Sequence, residues 1–100
     1  MESVTITRHE KGEAGEYHAH VEGSAVIGRL TWITRDGARV AEHTLVPKEI
    51  GGRGVAGKLV EALIADAREQ GFRVVPECSY VAAAFDKHPE WAELRAPDLH

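Results

Sequence analysis

One change of period constrains this chain more than any other feature. Through residue 46 apolar and polar side chains alternate in twos, whereas from Val55 the apolar ones recur every third or fourth position. A period of two belongs to a half-buried strand, and a period near 3.6 to an amphipathic helix. The two regimes meet in a glycine-rich segment, Ile50-Gly51-Gly52-Arg53-Gly54-Val55-Ala56-Gly57-Lys58-Leu59. Strands joined by tight turns pair antiparallel, and a strand that follows a helix returns parallel through a crossover. The expected fold class is therefore α+β, with antiparallel strands, one long helix, a parallel crossover strand and short C-terminal helices.

Alternation places the strands. In the first, Val4, Ile6 and Arg8 alternate with Ser3, Thr5 and Thr7; Gly12–Gly15 reads as a turn; Glu16–Glu22 then alternates around Tyr17, Ala19 and Val21. Gly23-Ser24 turns the chain into an apolar strand over Ala25–Thr34, carrying Val26, Ile27, Leu30, Trp32 and Ile33. Asp36-Gly37 suits a type I′ turn, which needs φ > 0 at both central residues, so Ala38–Val46 forms a hairpin with the preceding strand. Pro47 has no N–H to donate and closes it. Leu59, Val60, Leu63, Ile64 and Ala67 make the helix stripe, with Lys58, Glu61, Asp66 and Glu69 opposite and Gly71 where a C′ glycine belongs. Phe72–Val75 reads as a short buried strand stopped by Pro76, and Val81–Phe85 as a helical turn. Pro89 starts another turn, containing Trp91 and Leu94.

No repeat, linker or low-complexity tract divides the 100 residues, so residues 1–100 are read as one domain. The formal net charge of −4 argues against broad electrostatic binding to nucleic acid. No apolar run reaches the roughly 18 residues that a membrane-spanning helix requires. The acidic start, Met1-Glu2-Ser3, does not read as a secretory leader, and a cytoplasmic location is the expectation. The lone Cys78 leaves no internal disulfide and no cysteine-built zinc site, and it fits a reducing compartment. No metal is expected, because His18 and His20 form an i, i+2 pair for which the sequence displays no third ligand. The surface pattern asks for nothing beyond a monomer or weak dimer.

The glycine segment has the chemistry of an anion cradle. Glycines let the backbone approach a ligand with successive N–H groups aimed at it, and the start of a helix adds partial positive charge. Arg53 and Lys58 would add charge-assisted contacts, so a pyrophosphate suits the segment. A nucleotide P-loop does not fit, since Leu59 rather than Ser or Thr follows Gly57-Lys58. A dinucleotide fingerprint would follow the first strand of a βαβ unit, not several antiparallel strands. The plain alternative is a loop whose glycines serve only to turn the chain.

Gly51-Gly52-Arg53-Gly54-Val55-Ala56 resembles the pyrophosphate motif of GNAT-type N-acetyltransferases, Gln/Arg-x-x-Gly-x-Gly/Ala. Gly54 and Ala56 occupy its last two fixed positions, and Gly51 departs from the first. Further marks are His43-Thr44-Leu45-Val46-Pro47, Pro76-Glu77-Cys78-Ser79-Tyr80-Val81, Phe85 and Lys87-His88-Pro89-Glu90. Together, from about residue 42 to 91, they resemble a small subfamily of short GNAT-like proteins with a Cys-Ser-Tyr segment. The resemblance implies the GNAT fold, acetyl-coenzyme A as cofactor and an amine acceptor, protein or small molecule, whose identity it leaves open. It also implies that the pantetheine arm lies between two splayed strands, those ending near Val46 and Val75, held by main-chain groups of Leu45 and Val46. Gly51, Gly52, Arg53, Gly54, Val55, Ala56, Gly57 and Lys58 would cradle the pyrophosphate, and Lys87 would serve the 3′-phosphate end. The subfamily lacks the N-terminal helices that build the acceptor site in larger acetyltransferases.

Acetyl transfer to an amine needs a deprotonated amine, a held thioester and a proton for the departing thiolate. His43 is the candidate base, neutral near pH 7 and expected to share a strand face with Ala41 and Leu45. The other reading makes it a half-buried histidine bonded to backbone. Tyr80 resembles the tyrosine that protonates the coenzyme A thiolate in many GNAT enzymes. Cys78 is either an acyl-accepting nucleophile or a small buried hydrophobe. In an extended segment Cys78 and Tyr80 would share one side. Trp32 and Trp91 read as packing anchors. The functional expectation is an acetyl-coenzyme A-dependent N-acetyltransferase acting on a primary amine. The alternatives are a non-catalytic acetyl-coenzyme A-binding module that works through a protein partner, and self-acylation of Cys78 as the whole activity.

Overall fold

The alternating half of the chain forms four strands, β1 (Val4–Lys11), β2 (Ala14–Val21), β3 (Ile27–Arg35) and β4 (Ala38–Leu45), in a computed structural model that describes residues 3–97. Met1 and Glu2, on which the reading of the chain's start rested, lie outside the described residues. The helical period becomes α1 (Val55–Gln70), and β5 (Val74–Pro76) follows it, then α2 (Ser79–Lys87). Short 3-10 turns occupy Lys48–Ile50 and Pro89–Leu94. The sheet order is β1-β2-β3-β4-β5, antiparallel throughout except for the parallel β4–β5 pair across α1. This is the α+β arrangement that the change of period implies.

Asp36 and Gly37 both take positive φ, 52° and 78°, as a type I′ turn requires. Elsewhere the boundaries move for identifiable reasons. The first turn is Gly12-Glu13 alone, and Gly15 belongs to β2. There the Trp32 indole lies across the strand, and a Cβ at Gly15 would run into it. The last strand is Val74–Pro76 rather than Phe72–Val75, because Phe72 packs against the Arg39 guanidinium instead of pairing. Pro76 ends this edge strand from within, where a missing donor is tolerated. The second helix starts at Ser79, two residues before Val81, with Cys78 as its N-cap.

One face of the sheet carries the core. Leu59, Val60, Leu63, Ile64 and Ala67 of α1 are buried against Tyr17, Ala19, Val21, Leu30, Trp32 and Ala41. Val81, Phe85 and Trp91 close one end, and Phe85 meets Trp91 edge-on at 5.8 Å. Gly71 caps α1 at φ 78°, its N–H bonded to the Ala67 carbonyl. No helix among the described residues is long and apolar enough to cross a membrane.

A polar knot ties α1 to the sheet. The Arg39 guanidinium is 7% exposed and sits 4.2 Å from the Trp32 ring centre and 4.1 Å from that of Phe72. It donates to the Tyr17 hydroxyl at 2.9 Å, which donates to Asp66 Oδ2 at 2.6 Å. Arg8 reaches the same oxygen at 2.9 Å. Burial, then the bond to Asp66, hold the Tyr17 phenol well above its usual range, so it stays a donor. Replacing Tyr17 with Phe removes both of its hydrogen bonds while preserving the ring, and leaves Asp66 its bond from Arg8. Urea unfolding of Tyr17→Phe should show a loss of about 1–3 kcal/mol, and unchanged stability would mean that the knot contributes nothing net.

Candidate active site

The β4–β5 pair is short. Arg39, Val40 and Ala41 face Val74, Val75 and Pro76, and the Cys78 N–H then donates to the Ala41 carbonyl at 2.9 Å. From there the chain turns into α2 while β4 runs on to Leu45, so among the described residues no strand pairs with that edge of β4 beyond Ala41. A gap opens between the end of β4 and the first turn of α2.

A bulge shapes the β4 side of the gap. Thr31 pairs with His43 but Trp32 pairs with Ala41, which leaves Glu42 as the extra residue. The alternation therefore flips. Thr44 lies opposite the buried Leu30, on the α1 side with Ala41, while His43 lies opposite Thr31 on the open face. The expectation that His43 shares a face with both Ala41 and Leu45 is corrected: it shares one with Leu45 alone, and both are exposed.

Cys78 sits where the strand pair ends and the helix begins. Its thiol donates to Thr44 Oγ1 at 3.4 Å. Burial alone would push the thiol up, but the Thr44 hydroxyl and the backbone at Val81, Tyr80 and Thr44 outweigh it, holding Cys78 below the ordinary thiol range. A helix N-terminus favours thiolate in this way. Because the helix starts at Ser79, Cys78 and Tyr80 stand on different sides of its first turn rather than on one side of an extended segment. Tyr80 is 45% exposed, and its hydroxyl comes within 3.8 Å of where a Gly57 side chain would begin. With Gly57, Lys87, His88 and Trp91 it lines a groove of about 420 Å³ between α1 and α2.

The glycine segment ends in two left-handed residues, Gly52 (φ 74°) and Gly54 (φ 73°). Nothing lies within 4 Å of a Cβ built at either, so the requirement there is conformational, not steric. Gly54 is the N-cap of α1; no side chain caps the helix and its first turn holds no acid. Its first amides thus receive no bond from an N-cap side chain and lie in the field of the helix dipole. Gly51, Arg53 and Lys58 are exposed, and Ala56 is half-buried. The Val55 side chain is buried, which leaves only its main chain for a ligand. Leu45 is 58% exposed and Val46 half-buried at the far lip of the gap. A cavity of about 640 Å³ lies at the other end of the sheet, by Asp36, Phe72 and Arg73, and shares none of these groups.

A family model described as GCN5-related N-acetyl-transferase matches residues 16–94. The chain belongs to this family. No curated protein matches it as a relative. The match in this GCN5-related N-acetyltransferase runs from β2 to the Pro89–Leu94 turn, and so includes both strands of the gap, the glycine segment and Cys78. Membership supports a function of the acetyltransferase type.

The structure joins Cys78 to Thr44 at the gap, and sets Tyr80 in one groove with Lys87 and the first turn of α1. It leaves His43 apart on the open face. Thr44 escaped the sequence reading as a site residue, because only the bulge turns it toward Cys78. His9 escaped as well. It stands with His18 and His20, one ring nitrogen of each within 4.8 Å of the others, a third imidazole that the i, i+2 pair did not display in the sequence. Alkylation of Cys78 by iodoacetamide, followed against pH, should report a thiol below its ordinary range. Thr44→Val should move that profile to higher pH, and coincident profiles would mean that the hydroxyl has no part in it.

Proposed function

We propose that the chain transfers an acetyl group from acetyl-coenzyme A to a primary amine, with the pantetheine arm of the cofactor in the gap between β4 and β5. The gap itself carries the reading: two neighbouring strands pair over three residues, then part beside a helix start built from left-handed glycines with no capping side chain. On this reading the chain also belongs to the small subfamily marked by the Cys-Ser-Tyr segment. It acts as a single cytoplasmic domain, a monomer or weak dimer, without nucleic acid or membrane.

The main-chain amides from Gly51 to Gly57, with Arg53 and Lys58, would hold the pyrophosphate, and Lys87 the 3′-phosphate end. The main chain at Leu45 and Val46, along the β4 edge away from β3, would hold the arm, and an N–H there would stabilise negative charge on the thioester oxygen. When bound, acetyl-coenzyme A supplies a thioester whose acetyl carbon is attacked by the amine with loss of the thiolate. His43, exposed on the open face, would take the proton that makes the amine nucleophilic. Tyr80, on the helix side, would return a proton to the departing sulfur. The separation of these two side chains suits a thioester lodged between the strands, with the amine arriving on one face and the thiol leaving on the other.

The lowered thiol of Cys78 favours a second reading, in which its sulfur accepts the acetyl group. A binding module without turnover would show the same cofactor affinity and no product. Calorimetric titration with acetyl-coenzyme A should give micromolar binding, about −8 kcal/mol, with none for ATP or NAD. Gly54→Leu should weaken it at least tenfold, since L side chains strain at φ 73°. With an amine panel, His43→Ala and Tyr80→Phe should each lower kcat by about 10²–10⁴-fold. A gain of one acetyl group in intact mass, lost in Cys78→Ala, would select the Cys78 route. Silence with acetyl-coenzyme A would sink the proposal.

A further inference from the structure

The open face of the β1–β2 hairpin gathers three imidazoles that acetyl transfer does not use. Tyr17, Ala19 and Val21 point into the core, so Glu16, His18 and His20 point away from α1. The Gly12-Glu13 turn fixes the register as His9 opposite Glu16, Thr7 opposite His18 and Thr5 opposite His20. His9 and His20 therefore flank the Thr7–His18 pair, and both lean over it. The Thr7 hydroxyl lies 2.8 Å from His9 Nε2 and 3.0 Å from His20 Nε2. The His9 and His18 rings lie 4.1 Å apart, centre to centre.

From this convergence we infer that His9, His18 and His20 form a binding site for a divalent transition-metal ion, of which zinc is the probe of choice. The donors are right for it: neutral imidazole suits zinc, nickel and copper, while magnesium and calcium prefer oxygen. So is the geometry. A tetrahedral ion about 2.0–2.1 Å from each nitrogen sets those nitrogens roughly 3.4 Å apart. Starting within 4.8 Å, the rings close that distance by side-chain rotation alone, since His9 and His20 are exposed and His18 half-buried. The ion would take over the place the Thr7 hydroxyl now fills between two rings.

The surrounding charges agree. Glu16 Oε1 lies 2.7 Å from His18 Nε2, close enough to become the fourth ligand or to orient that ring through its other nitrogen. Arg29 shares Glu16 at 3.7 Å, Arg8 is turned to the α1 side by its bond to Asp66, and Lys11, two positions after His9, is an exposed side chain on the same strand face. A bound ion would clamp β1, the edge strand of the sheet, to β2. The inference does not rest on acetyl transfer, for His43 stands two strands away from β2 on the same face.

The test uses tag-free protein stripped with a chelator. Titration with zinc should saturate at one equivalent and raise the melting temperature, and magnesium should do neither. His9→Gln, His18→Gln and His20→Gln should each weaken zinc binding at least tenfold, whereas His88→Gln, a half-buried histidine stacked on Trp91 beside Glu90, should not. Cobalt should give visible absorption bands that vanish in the triple variant. No saturable zinc binding, or a triple variant that binds as tightly as the parent, would overturn the proposal. None of the substituted side chains is fully buried, so far-UV circular dichroism should confirm that each variant folds.

Discussion

The bond from the Cys78 N–H to the Ala41 carbonyl is the point on which the architecture turns. It is the last link between the β5 segment and β4. Before it, parallel pairing holds the crossover helix against the sheet; after it, the chain is free to coil into α2. Had β5 continued along β4, main-chain bonds would have filled the edge that residues 43–46 leave open. Had it stopped sooner, a pairing of only two residues would have had to carry the closing entropy of the whole crossover. The proline at position 76 and the helix-initiating segment from Cys78 onward fix the stop locally.

The bulge at Glu42 works on the same few residues from the other strand. It lets one strand send Ala41 and Thr44 to the core side and His43 to the open side without breaking the β3–β4 pairing. Thr44 thereby meets Cys78, and the thiol acquires a hydroxyl partner in addition to the amides of a new helix. A plain alternating strand would have sent Thr44 to the open face and His43 toward Cys78, and the two would have exchanged chemistry.

Much of this was legible in the residues. Strand count, the Asp36-Gly37 turn, the crossover helix and its Gly71 cap follow from period and turn chemistry, which act over a few residues. The glycine segment was legible as a helix start for the same reason. What escaped depends on contacts between distant segments. Gly15 looked like turn residue because the Trp32 ring that excludes a side chain there is seventeen positions away. Phe72 looked like strand because its partner, Arg39, belongs to another element. The face of His43 was misjudged since a single inserted residue inverts every later side chain, and no residue type announces a bulge. The His9, His18 and His20 group needed a hairpin register that alternation alone does not supply.

The two ends of the sheet are built to opposite specifications. Near the Asp36-Gly37 turn, Arg39 lies between two aromatic rings and bonds to Tyr17, whose hydroxyl reaches across to Asp66 on α1, so that β2, β4 and the helix are locked by directional contacts in a buried setting. Toward Leu45 the β4 edge has no strand partner, and its terminal side chain is an exposed leucine rather than a charge. Exposed edges of this kind invite pairing with other chains, and proteins ordinarily blunt them with lysine, proline or a covering loop. Here Pro47 and Lys48 come only after the strand has ended. An unblunted edge beside an uncapped helix start is a liability for a chain that leaves both in water, and a binding surface for one that fills them. The rigidity of the Arg39 end is what lets the other end remain open without the strands sliding, and for that reason the open end is where the proposed cofactor would bind.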